Sequence, residues 1–146
     1  MLFRSETALP ALLNSVGAVA AADFDHQGRL GLFIGGRVST GQYPLAPQSA
    51  LLANRGGKFE DVTDTVAPGL REVGMVTGAL WSDVDQDGYP DLLLTLEWGQ
   101  VKYFHNQQGR GLADWTEKAG FAKAGTGWWT SIAAADFNGE IGRAHV

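Results

Sequence analysis

An acidic nonapeptide in the middle of the chain carries the strongest chemical signal. Carboxylates occupy its positions 1, 3, 5 and 9 and a glycine occupies position 6, in the stretch Asp83-Val84-Asp85-Gln86-Asp87-Gly88-Tyr89-Pro90-Asp91. Side chains at this spacing can converge around a sharp turn, and Ca²⁺ takes about six to eight oxygen ligands. The spacing therefore predicts a Ca²⁺ site formed by the side chains of Asp83, Asp85, Asp87 and Asp91 and the main-chain carbonyl of Tyr89.

Two other interpretations of this stretch are open. An EF-hand loop also begins with alternating aspartates, but it requires a glutamate at position 12, where this chain has Leu94, and a helix on each side. The aspartates could also cap a solvated hairpin turn without binding a metal. Carboxylates this close repel one another, however, and a bound dication would relieve the repulsion. Mg²⁺ suits the loop less well, because it retains its waters and requires tight octahedral geometry.

Two weaker copies of the acidic loop lie elsewhere in the chain. The first copy keeps Asp23 and Asp25 but has Gln27 and Gly31 where the middle loop has its third and fourth carboxylates. We expect Asp23 and Asp25 to form a degenerate site. The third copy begins Asp136-Phe137-Asn138-Gly139, and Asp136 and Asn138 are its candidate ligands.

The loops belong to a longer internal repeat, which is the feature that must position them. Residues Gly74–Asp85 align without gaps on Gly127–Asn138, and Val16–Asp25 is an earlier copy of the same block. The second halves of the units also correspond, with Leu51–Thr63 matching Tyr103–Thr116. The units therefore begin near residues 16, 76 and 129.

Each unit has the pattern of short strands separated by turns. In the middle unit the pattern predicts strands at Val76–Trp81, Leu92–Leu96 and Val101–His105 and a fourth strand within Asp114–Glu117. Four short strands per unit are typical of a propeller blade, and propellers close with about four to eight blades. The predicted fold is all-β: a partial β-propeller of about two and a half four-stranded blades, which is an incomplete domain. The pairs Gly35-Gly36 and Gly56-Gly57 are predicted to form hairpin turns.

The two ends of the chain do not fit the repeat. Leu2-Phe3-Arg4-Ser5 and Ile141-Gly142-Arg143-Ala144-His145-Val146 resemble the translation of short-read sequencing adapters. We therefore expect residues 1–5 and 140–146 to be artefacts and residues 6–139 to be the repeat segment.

Composition excludes several functional classes. The chain has 146 residues, a formal net charge of −5 and no cysteine. Disulfides, thiolate metal sites and cysteine catalysis are thereby excluded. An acidic chain without a basic cluster is not expected to bind nucleic acid, and no apolar run is long enough to predict a transmembrane helix.

The acidic-loop blocks resemble FG-GAP/VCBS repeats, the Ca²⁺-loop blades of integrin α-subunit propellers. A narrower set of strings is similar to the propeller part of ASPIC/UnbV-type proteins, relatives of cartilage acidic protein: Gly35-Gly36-Arg37-Val38, Tyr43-Pro44-Leu45, the block from Gly74-Met75-Val76-Thr77 to Trp81, Glu97-Trp98-Gly99 and Gly127-Trp128-Trp129. The resemblance implies an extracellular or periplasmic protein whose blades hold structural Ca²⁺.

Two functions are compatible with these observations. The first is a non-catalytic, Ca²⁺-binding interaction scaffold within a larger secreted protein, with an unknown protein or glycan as partner. The second is the propeller part of an extracellular glycan-processing enzyme, but the sequence predicts no catalytic residue, and His26 and His105 look isolated. Four aromatics could line a binding face, although packing between blades is the favoured interpretation for Tyr43, Trp98, Trp128 and Trp129.

Overall fold

The first repeat unit forms a complete four-stranded antiparallel sheet. The computed structural model describes residues 8–12 and 14–135. Neighbouring strands follow one another in chain order: β1 (Ser15–Ala22), β2 (Gly31–Val38), β3 (Ala50–Asn54) and β4 (Phe59–Asp61). A one-turn helix, α1 (Thr63–Val66), follows β4.

The second unit repeats this arrangement. Its sheet contains β5 (Met75–Ser82), β6 (Asp91–Gly99), β7 (Lys102–Asn106) and β8 (Leu112–Asp114), again in chain order. After a short 3₁₀ turn (Phe121–Ala124), the third unit contributes β9 (Gly127–Trp128), which pairs with the end of β6. The prediction of an all-β fold is confirmed, and two successive antiparallel sheets, of four strands and of five with β9, are consistent with a partial β-propeller.

Equivalent residues occupy equivalent positions in the two sheets. Ala22 pairs with Gly31 at the end of the first hairpin, and Ser82 pairs with Asp91 at the end of the second. Each acidic loop therefore connects the first two strands of its sheet. The first hairpins of the two sheets therefore end in the same register.

The fourth strand lies earlier than the sequence predicts. It covers Leu112–Asp114, and the chain turns away after Asp114. Asp114 Oδ1 accepts the Thr116 N–H (2.9 Å), and Thr116 Oγ1 accepts the Tyr103 N–H (3.1 Å). The Trp115 N–H still donates to the Tyr103 carbonyl (2.9 Å), but the Thr116 hydroxyl accepts the Tyr103 N–H in place of a main-chain carbonyl, so the regular strand pairing ends here. Asp61 and Thr63 make the same contacts in the first unit, with Thr63 Oγ1 accepting the Leu51 N–H at 2.8 Å.

One hydrophobic cluster joins the two sheets. Phe33 and Leu51 of the first sheet and Val76, Leu94 and Phe104 of the second are all buried in it. Because the cluster draws on both units, neither sheet buries its apolar face alone. Among the described residues, no helix has the length and apolar character needed to cross a membrane.

Gly35 and Gly36 lie inside β2 rather than in the predicted hairpin turn. The reason is a close approach between the sheets. A Cβ at Gly35 would lie 2.5 Å from Val76 Cγ1, and a Cβ at Gly17 would overlap the Val76 carbonyl oxygen. Glycine at these two positions therefore lets β5 pack against the first sheet.

This packing predicts that Gly35→Ala destabilises the chain by about 1–3 kcal/mol, the usual cost of overpacking. The added methyl group meets Val76 Cγ1 (2.5 Å) and Val76 Cβ (2.7 Å), so Val76→Ala, which removes the first atom and keeps the second, should lower the cost of the substitution without abolishing it. Gly17→Ala is the matched control, because its added methyl group meets main-chain oxygen, which Val76→Ala leaves in place. Urea unfolding midpoints of the single and double variants measure these costs. An equal cost of Gly35→Ala in both backgrounds would contradict the contact.

Candidate metal centre

The middle acidic loop folds around its first aspartate. Asp83 accepts the main-chain N–H groups of Asp87 (3.1 Å) and Gly88 (2.9 Å), one on each carboxylate oxygen. Gln86 and Gly88 adopt left-handed conformations, with φ of 58° and 90°. The glycine at position 6 therefore makes the sharp turn that brings the loop back towards Asp83.

The first loop has the same backbone geometry although two of its carboxylates are missing. Asp23 accepts the N–H groups of Gln27 (2.9 Å) and Gly28 (2.8 Å), and His26 and Gly28 are left-handed, with φ of 52° and 72°. The turn therefore depends on the first aspartate and the glycine. The carboxylates at positions 5 and 9 of the middle loop are not needed for this turn, because the first loop folds in the same way without them.

The carboxylates of the middle loop converge. Ligand atoms of Asp83, Asp85 and Asp91 lie within 4.8 Å of one another, and so do those of Asp85, Asp87 and His105. Asp85 belongs to both groups, and among the described residues no group contains all four predicted carboxylates. Within residues 8–12 and 14–135, no such group of three includes Asp23 or Asp25. Asp136 and Asn138 lie outside the described residues, as do the suspected adapter segments.

Asp91 is the most enclosed of these carboxylates, with no exposed surface. Its Oδ1 accepts the Asn106 N–H (2.7 Å), and its Oδ2 accepts the Val84 N–H (3.0 Å) and the Tyr103 hydroxyl (3.0 Å). Burial raises the pKa of Asp91 above its ordinary value, and the nearby charge of Asp85 also raises it, while the three hydrogen bonds oppose the shift. Burial and the Asp91 charge also raise the pKa of Tyr103, which keeps its proton as the donor.

The first loop fills the position of Asp91 with an aromatic ring. Gly31 is the counterpart of Asp91, and a Cβ there would overlap the ring of Phe24. Phe24 is 3% exposed, and its ring stacks on Trp81 with 5.8 Å between centroids. Asp25 lies 3.7 Å from the guanidinium of Arg55. In the degenerate loop the Phe24 ring therefore takes the place of the Asp91 carboxylate. The Asp25 carboxylate, which is the counterpart of Asp85, faces the guanidinium of Arg55.

His105 is a site residue that the sequence analysis missed. It lies on β7 and is 8% exposed. Its Nδ1 is 3.3 Å from Asp85 Oδ2 and 3.3 Å from Asp91 Oδ1, yet it is buried without a hydrogen-bond partner. The repeat alignment carried a signal, because the unit with the full acidic loop has His105 where the other unit has Ala53.

Asn106 connects the middle loop to the first one. Its Nδ2 donates to the carbonyls of Phe24 and Pro90, both at 2.9 Å, and its Oδ1 accepts the Gly109 N–H at 2.8 Å. The Tyr89 ring stacks on His26 with 4.0 Å between centroids. The two loops therefore lie against each other. The carbonyl of Tyr89 stays a predicted ligand.

Three of the four aromatics expected to pack between blades are largely exposed, although Trp98 and Trp128 contact each other across two units. Tyr43, Trp98 and Trp128 are 57%, 59% and 59% exposed, whereas Trp129 is partly buried. The Trp98 indole N–H donates to the Tyr43 hydroxyl (2.8 Å), and the rings of Trp98 and Trp128 lie 5.0 Å apart. Tyr43 in turn donates to Glu97 (3.1 Å), which also forms an ion pair with Arg37. These residues form an exposed aromatic cluster.

The bridging role of Asn106 predicts that Asn106→Ala destabilises the chain by about 2–4 kcal/mol, because the substitution leaves two enclosed carbonyls without a donor. Asn54→Ala is the matched control. Its side chain makes the equivalent exposed contacts to Leu30 and Gly57, and we expect a loss of about 1 kcal/mol or less. Chemical denaturation of both variants gives the comparison. Equal losses would show that the link between the loops contributes little.

A family model for an FG-GAP-like repeat matches residues 83–140. The match begins at the first carboxylate of the middle loop and extends through β6, β7 and β8 into the third unit. It confirms the FG-GAP part of the resemblance for these residues. No curated protein and no solved structure matches the chain.

Proposed function

We propose that this chain is a Ca²⁺-binding, non-catalytic β-propeller repeat segment of a larger secreted interaction protein. One observation carries the proposal: ligand oxygens of three carboxylates of the middle loop, Asp83, Asp85 and Asp91, lie within 4.8 Å of one another, and Asp91 is wholly buried. A buried carboxylate is costly unless opposite charge or hydrogen bonds compensate it. Among the described residues, no lysine or arginine forms an ion pair with Asp83, Asp85, Asp87 or Asp91.

The oxygens of the loop retain the capacity to bind a cation. A carboxylate has about four lone-pair positions. Asp91 Oδ1 accepts one hydrogen bond, and among the described residues the Oδ2 atoms of Asp85 and Asp87 accept none. The donor set is therefore mostly hard oxygen, which fits Ca²⁺. Asp83, Asp85, Asp87 and Asp91 would hold the ion, and the Tyr89 carbonyl would complete the set.

Bound Ca²⁺ would supply the positive charge that the loop lacks. Asp91 already joins the loop to β7 through Asn106 and Tyr103, and Asn106 reaches the first loop. Neutralising the cluster would thus stabilise the junction of the two units as well as one hairpin. The first loop, with Asp23 and Asp25, is a weaker site in this proposal, because Phe24 takes the place of the last carboxylate.

The exposed aromatic cluster supports the interaction role. Large aromatics that remain exposed beside hydrogen-bonding groups are frequent in binding surfaces. Trp98 adopts φ of 59°, an uncommon conformation for a bulky residue, at a bulge between β6 and β9. A strained position of this kind is maintained by surrounding contacts, here those of Tyr43 and Trp128. The partner would be a protein or a glycan, and the extracellular or periplasmic setting and the ASPIC/UnbV kinship rest on the resemblance.

The proposal predicts at least one Ca²⁺ site in calorimetric titration of the chain. The double variant Asp85→Ala/Asp87→Ala should lose it, since two ligands disappear. The matched control is Asp25→Ala/Gln27→Ala, which changes the equivalent positions of the first loop, leaves the turn-forming Asp23 in place and should keep the site. Saturating Ca²⁺ at about 100 times the dissociation constant should also stabilise the unmodified chain by roughly 2.7 kcal/mol. Unchanged binding by the middle-loop variant would refute the assignment.

A further inference from the structure

His105 gives the middle loop a nitrogen donor that an ordinary calcium loop does not need. We propose that the loop and His105 together form a mixed oxygen–nitrogen site for a first-row transition dication such as Mn²⁺, with His105 Nδ1 as a ligand. This inference rests on the proposed cation site and specifies its chemistry. Imidazole suits transition metals, whereas carboxylate oxygens suit Ca²⁺, Mg²⁺ and Mn²⁺. A site with both kinds of donor can bind Mn²⁺, which is the paramagnetic probe of this set, and binds the later dications more tightly.

The His105 imidazole is buried beside the carboxylates of the middle loop. His105 is 8% exposed, and its buried Nδ1 has no hydrogen-bond partner. A buried polar atom of this kind requires an explanation, and an absent ion is one of the standard ones. The atom faces Asp85 Oδ2 and Asp91 Oδ1 at 3.3 Å each. Ligand atoms of His105, Asp85 and Asp87 all lie within 4.8 Å of one another, and two ligands each about 2.1–2.4 Å from one dication are at most about 4.2–4.8 Å apart, so one ion can contact these three residues.

The surroundings of the ring keep it in this position. The imidazole stacks on Trp115, with 3.8 Å between centroids and 21° between the planes. Lys118 Nζ lies 3.3 Å from the centroid of the Trp115 ring. The His105 ring thus lies between the acidic loop and the ring of Trp115. Because its orientation is fixed before an ion binds, it loses little conformational entropy on binding.

The first repeat unit provides an internal comparison. Its loop folds with the same backbone turn, yet it has Gln27, Gly31 and Ala53 at the positions of Asp87, Asp91 and His105. The histidine is thus present in the unit with the full acidic loop and absent from the unit without it. Packing alone does not explain the difference, because Ala53 is also buried in its own sheet.

Pulsed electron paramagnetic resonance of the Mn²⁺-loaded chain tests the inference. We expect nitrogen modulation from a directly bound imidazole, and its frequency should change when histidine alone carries ¹⁵N. The His105→Phe variant keeps a ring against Trp115 and should lose the modulation, with Mn²⁺ affinity reduced roughly tenfold or more, while Ca²⁺ affinity changes by no more than a few fold. The matched control His26→Phe should keep both the modulation and the Mn²⁺ affinity.

The outcomes separate this inference from the proposed function. The inference is wrong if Mn²⁺ binds without nitrogen modulation, or if His105→Phe leaves Mn²⁺ affinity unchanged. In that case His105 only lies beside Asp85 and Asp91, and the proposal of Ca²⁺ binding stands. If neither ion binds the unmodified chain, both proposals fail. The labelling experiment uses the unmodified chain, so it tests the nitrogen ligand even if the His105→Phe variant fails to fold.

Discussion

The burial of the Asp91 carboxylate is the constraint on which the rest of the structure depends. The side chain lies where the acidic loop meets β6 and β7, and its hydrogen bonds from Val84, Tyr103 and Asn106 attach the loop to the sheet. A charge removed from water this completely needs compensation, which the hydrogen bonds supply in part. The first unit meets the same packing requirement with the ring of Phe24 in place of a carboxylate. The same position in the repeat is therefore filled by an aromatic ring in the first unit and by a buried carboxylate in the second.

The region around Asp91, where the middle loop meets β6 and β7, also contacts the first sheet. Asn106 contacts both loops, Tyr89 stacks on His26, and Val76 packs against Gly35. These contacts lie along one boundary, so a change in the charge of the middle loop acts on the first unit as well. A metal at this position would stabilise the relation between units, which is consistent with a role in a scaffold rather than in a reaction.

Much of this arrangement could be predicted from the sequence, because it depends on local patterns. The loop spacing and the repeated blocks identify the strands and the converging carboxylates. The misses all involve contacts between distant residues: Gly35 lies in a strand because Val76 approaches it, and β8 ends early because Thr116 bonds to Tyr103. His105 looked isolated because its partners are on another strand and loop. The exposure of Trp98 likewise follows from the bulge at the end of β6.

Hydrogen exchange of individual amides, with and without Ca²⁺, tests the central claim most directly. The claim is that a cation at the middle loop stabilises the corner around Asp91, whereas the first loop folds without one. Added Ca²⁺ should therefore slow exchange at Val84, Gly88 and Asn106 about tenfold or more, while Gln27 and Gly28 change much less. Equal protection of both loops, or no protection in the middle loop at saturating Ca²⁺, would contradict the account.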